Sequence, residues 1–195
     1  MRPHERTYGR TYERQTDRLR STTMAPVYAS LPPQAGPLKV ATNYWKASDQ
    51  LDVYLTRELL LVRRHDHALL LSPSFSTRIL NHERPRSILL HFTSFSHEQV
   101  YDRNSPFVVI ADGAELWRYG WRGPGDATPT AERALHSATL DINGQVVETL
   151  GHEIPCDIFV QLARARQVTL GLGTDVIELT PEQLAAFSDM HRLLL

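Results

Sequence analysis

The spacing of apolar residues changes along this chain. From Val53 to Trp121 they alternate or form short β-branched and aromatic blocks, the spacing of strands. Around Ile158, and again from Leu184, they recur every three or four residues, the spacing of amphipathic helices. Residues 134–195 therefore read as a hairpin, a helix, a second hairpin and a closing helix.

The closing helix has the clearest boundary. Thr180 supplies an N-cap hydroxyl, Pro181 the first turn, Glu182 an acid near the positive end, and Gln183 the third position of a capping box. Leu184, Phe187, Met190 or His191, and Leu194 then form an apolar stripe. The earlier helix runs from Pro155 or Asp157 to Arg166, with Ile158, Phe159, Leu162, Ala163 and Ala165 on a broad apolar face. Between the helices, Val168–Leu170 and Val176–Leu179 read as strands, with Gly171 and Gly173 permitting a tight bend. Ahead of them, Asn143-Gly144 accepts the left-handed angles of a two-residue turn. Its arms are expected near 135–142 and 145–151.

Upstream, the ordered part is expected to begin near Leu38, with Tyr44 and Trp45 as its first large anchors. Val53–Val62 is ambiguous, because Leu51, Leu55 and Leu59 also fit helical spacing. The return at Ala68–Leu71 favours two strands joined near His65-Asp66, the second extending toward Phe75. Ser87–Phe95 reads as a strand. Phe107–Ile110 turns at Asp112-Gly113 and returns from Leu116 to Trp121. Arg122–Thr130 is irregular, and Ala131–Leu135 opens a short helix or runs into the next strand. Eight or nine strands result. Long helical crossovers are missing through the middle, which excludes a parallel β-α-β sheet. The expected fold class is mainly β or α+β: an antiparallel sandwich or curved sheet with two C-terminal helices packed on it.

Composition adds an N-terminal arm to this picture. Of 195 residues, 1–37 form an irregular arm and 38–195 a single β-rich domain. Arg2, Arg6, Arg10, Arg14 and Arg18 recur every fourth residue, and residues 1–24 carry +3 against −4 for the rest. On a helix those arginines form a cationic stripe for nucleic acid or a membrane surface. With no apolar partner face, disorder is the better reading. Met24 is an alternative start, and Pro26, Pro32, Pro33 and Pro37 continue the arm as a linker. The overall charge of −1 gives no general attraction to nucleic acid. One cysteine excludes an internal disulfide. No apolar run is long enough for a membrane span, and no signal-peptide core appears, which favours the cytoplasm.

Candidate chemistry is sparse. Cys156 falls in a first helical turn beside Asp157, with His152 four residues earlier, but His152 belongs to the strand side; a cysteine closing a corner is the plainer reading. His65 and His67 form an H-x-H pair that His91 or His97 could complete as metal ligands. They are expected instead as polar turn and surface histidines. The acids show no enforced pairing. Gly171-Leu172-Gly173 lacks the third glycine of a dinucleotide fingerprint and the lysine of a phosphate loop, so no cofactor is expected. The best binding-site reading is aromatic. Trp117, Tyr119 and Trp121 alternate along one strand and would share a face for stacking on a sugar or flat ligand, with Arg118 or Arg122 at the rim. An aromatic section of core is the bland alternative.

The run Ile154-Pro155-Cys156-Asp157-Ile158-Phe159-Val160-Gln161-Leu162-Ala163, followed by Val168, Gly171, Ile177-Glu178-Leu179-Thr180 and Leu184, resembles uncharacterised bacterial β-rich domains, and the Asp112-Gly113 hairpin is compatible with them. The resemblance implies an exported or lipoprotein-associated setting and no known activity. The chain departs from an exported form in lacking a signal peptide and a lipidated-cysteine box. Together these features lead to the expectation of a non-catalytic binding or structural accessory module, whose partner is a protein, a small molecule or a saccharide. Exposed sheet edges also permit self-association. The rivals are a small metal-dependent hydrolase and a nucleic-acid contact through the arginine arm.

Overall fold

The computed structural model describes residues 31, 37–80, 83–119, 136–142 and 144–194. The arginine arm, Trp121, Arg122 and the loop that follows lie outside the described residues. Two antiparallel sheets and two helices account for the rest. The strands are β1 (Val40–Trp45), β2 (Gln50–Leu55), β3 (Leu59–Arg63), β4 (His67–Arg78), β5 (Ser87–Ser96), β6 (Phe107–Ala111), β7 (Ala114–Tyr119), β8 (His136–Ile142), β9 (Gln145–Pro155), β10 (Val168–Leu172) and β11 (Asp175–Glu178). The helices are α1 (Cys156–Arg164) and α2 (Pro181–His191).

The larger sheet has seven strands in the order β1-β2-β4-β5-β9-β8, with β3 also paired to β4. The smaller has four in the order β11-β10-β6-β7. Eleven described strands exceed the expected eight or nine, for two reasons. β1 completes a hairpin with β2 where only the anchors Tyr44 and Trp45 were expected. Those rings are 45% and 54% exposed rather than anchored in the core; Tyr44 donates to Asp49 at 3.0 Å and Trp45 to Asp52 at 2.6 Å. The second reason is that the ambiguous stretch is one extended path broken at Thr56–Glu58. Its two halves pair with successive parts of the long β4, Ser74–Arg78 and then Ala68–Leu71.

The inner faces meet in one apolar cluster. Leu69, Leu71, Leu90, Phe92, Leu150 and Ile154 from the larger sheet oppose Phe107, Val109, Leu170 and Leu172 from the smaller. Phe92 meets Phe107 edge-on with ring centroids 5.4 Å apart. The helices close one end, where β9 runs directly into α1. Phe159 and Leu162 of α1 and Phe187 and Met190 of α2 are fully buried, and Phe159 meets Phe187 edge-on.

The α2 stripe differs in register from expectation. Gln183 is buried where Leu184 was expected to lead, and Leu184 is only half-buried. The capping box forms, with Gln183 N donating to Thr180 Oγ1 and Thr180 N to Gln183 Oε1. Gln183 Nε2 also donates to the Leu60 carbonyl at 2.8 Å, which ties the helix to β3. This extra bond is what draws a polar side chain inside.

Candidate functional site

The sequence-predicted aromatic face is only partly described. Trp117 and Tyr119 sit opposite Val109 and Phe107, both fully buried, so the two rings take the inner side of the smaller sheet. Both are half-buried and packed against the core. The Tyr119 ring meets His152 at 4.9 Å, and its hydroxyl donates to the Arg103 carbonyl at 3.3 Å. His152 is itself buried and stacks on Phe107 at a centroid distance of 4.9 Å. Its ring belongs to the interior between the sheets.

The histidine pair separates. His65 is exposed in the β3–β4 turn, whereas His67, expected at the surface, is buried as the first residue of β4. Its ring lies 5.5 Å from that of Tyr101, and Nδ1 is 3.9 Å from Asp175 Oδ2. Tyr101 donates its hydroxyl to the same carboxylate, and Arg64 reaches Oδ1 at 3.1 Å. Glu148, also buried, accepts the Tyr101 and Val100 amides at 2.9 and 3.1 Å. Burial, the Asp175 hydrogen bond and its charge all push the Tyr101 phenol up. These contacts knit β4, β9 and β11 to the segment before β6 and have the character of a buried structural network. Among the described residues, no three His, Cys, Asp or Glu side chains gather as a metal site requires.

A ligand-sized opening lies instead at the helical end. Cys156, Val160 and Arg164 recur four residues apart and so form one stripe along α1, turned away from the buried Phe159 and Leu162. His191, Arg192 and Leu194 at the end of α2 form the facing wall, and Arg84 closes the side. The groove holds about 310 Å³. Its floor is apolar, with Leu194 buried and Val160 and Cys156 half-buried, while Arg84, Arg164 and Arg192 are exposed around it.

Charge in the groove is one-sided. Arg192 is paired with Asp189 at 3.0 Å. Arg84 and Arg164 make no ion pair with a carboxylate among the described residues. Burial, then Arg164, Arg84 and Arg192, hold the His191 imidazole below its usual range. Burial raises the Cys156 thiol, against the nearby Arg84, while Asp157 adds to the rise. The thiol is thus held toward its protonated form. A larger hollow of about 690 Å³ shares Arg84 and is also cationic, with Arg78, Arg86 and one carboxylate, Glu83, but the rest of its lining is mainly polar: Gln50, Ser76 and Thr77.

Sequence reading singled out Cys156 but not its cationic surroundings. Arg164 lies near the negative end of α1, where a cation is favoured with or without a ligand. Arg84 comes from the segment before β5, far from the helices in sequence. No family model matches the chain, and neither a curated protein nor a solved structure matches it.

Proposed function

We propose that this protein is a non-catalytic binding module that takes an anionic ligand in the groove between α1 and α2. The carrying observation is the pair of guanidinium groups, Arg84 and Arg164, that share an apolar-floored groove without an ion-paired carboxylate among the described residues. Guanidinium groups so placed present forked donors suited to a carboxylate or phosphate.

The test is titration with small anions, followed by amide chemical shifts of α1 and the α2 terminus. Saturable shifts confined to this groove, weakened at least tenfold in the Arg84→Gln/Arg164→Gln variant, are expected, since each charged hydrogen bond contributes about 1.5–3 kcal/mol. Both arginines are exposed, so the variant keeps the fold. Unchanged affinity in that variant rejects the groove as the site.

A further inference from the structure

Resting on the binding reading above, we infer that the groove recognises an amphiphilic anion: one carboxylate or phosphate head on a short apolar tail. The shape and lining of the groove argue for a tail. Cys156, Val160 and Arg164 span two turns of α1, a run of about 12 Å at 1.5 Å per residue. Along that run the floor is a thiol and a valine side chain, with Leu194 facing them across the groove. Fully hydrated inorganic anions gain nothing from such a floor. A chain of methylenes laid along it leaves water for apolar contact. The run of about 12 Å along α1 matches a short apolar tail, and a groove of about 310 Å³ is of small-molecule size.

The head belongs at the guanidinium rim. Arg84, Arg164 and Arg192 line the groove with His191, and Arg84 also acts on Cys156, so the rim is cationic along the groove. Arg192 is already shared with Asp189, which leaves Arg84 and Arg164 as the principal head contacts. The aliphatic stems of these arginines also extend the apolar wall.

Cys156, the one cysteine in the chain, provides a readout inside the groove. The experiment follows the rate of Cys156 alkylation by a small neutral maleimide, in the full-length protein at fixed pH and ionic strength. Four probes compete: acetate, octanoate, inorganic phosphate and octyl phosphate, with butyrate and hexanoate added to complete the carboxylate series and binding constants checked by calorimetry. Both tailed probes are expected to slow alkylation saturably, and butyrate, hexanoate and octanoate to strengthen about two- to fourfold per added methylene. The stronger of octanoate and octyl phosphate identifies the head. A Val160→Ser variant is expected to flatten the chain-length series. Equal binding of acetate and octanoate, lost together in the Arg84→Gln/Arg164→Gln variant, overturns the tail and leaves the anion reading standing. Failure of all four probes to bind overturns both.

Discussion

At the scale of single residues, His67 shows how position overrides a sequence pattern. The H-x-H spacing suggests two rings acting together, yet one lies in a turn and the other inside a sheet. Burial outweighs the Asp175 and Asp66 carboxylates and, with a smaller contribution from Arg64, holds His67 below the ordinary histidine range. Its Nε2 finds no partner among the described residues, so the folded protein has little use for a second ring proton. The direction of the pH effect follows. As pH falls through about 6.5, the unfolded chain takes up a proton that the folded ring refuses until lower pH. Across that interval the unfolded state binds more protons, and stability decreases with acidification. Above it both forms are neutral and the term vanishes. His191 acts in the same direction, whereas Glu58, raised by burial, acts in the opposite one at lower pH. Denaturant midpoints at pH 7.5 and 5.5 are expected to differ less in a His67→Phe variant than in the native chain. An identical loss in both assigns the acid sensitivity elsewhere.

At the scale of elements, features written in consecutive residues were legible, and those made by distant ones were not. The Asp112-Gly113 turn has φ angles of 49° and 83°, as a two-residue hairpin turn requires, and its flanking strands pair as expected. What adjacency could not reveal is that Asp112 also accepts the amides of Arg166 and Gln167, fastening this hairpin to the end of α1. The break between β2 and β3 was hidden because its cause is the length of β4, which carries both on one edge. The groove was hidden for the same reason: Arg84 meets the two helices only after folding. α2 illustrates both kinds of information. Its capping box is local, but the bond from Gln183 to Leu60 is not. Thr180→Ala is therefore expected to cost about 1 kcal/mol, the usual loss of an N-cap. Gln183→Ala removes the return half of the box and leaves the Leu60 carbonyl without this donor, adding about 1–3 kcal/mol. Urea denaturation of the two variants is expected to rank Gln183→Ala as the more damaging. The reverse order shows that the tie to β3 contributes nothing.

At the scale of the whole molecule, the two helices complete an interior that the sheets leave open at one end. Every strand pairing among the described residues is antiparallel, so neither helix serves as a crossover between parallel strands there. The contribution of α2 can be judged from what it buries. Phe187 and Met190 are fully enclosed, Ala186 and Leu194 nearly so, and the Phe187 ring covers the buried Phe159 of α1. Each large apolar side chain contributes about 1.5–3 kcal/mol on burial. Removing Phe187, Met190 and Leu194 and uncovering Phe159 thus forfeits about 6–12 kcal/mol. A domain of this kind has a total stability of about 5–15 kcal/mol. A chain ending at Leu179 is consequently expected to lose fixed side-chain packing, seen as collapse of near-ultraviolet dichroism and of amide shift dispersion. Phe187→Ala, which leaves the helix in place, is expected to cost about 3–5 kcal/mol and to retain the native spectrum in the absence of denaturant. The pair distinguishes loss of one ring from loss of the lid. A truncated chain with native dispersion and an unchanged denaturation midpoint would mean that the sheets alone enclose the core, and α2 would then be an appendage whose main consequence is the groove it forms with α1.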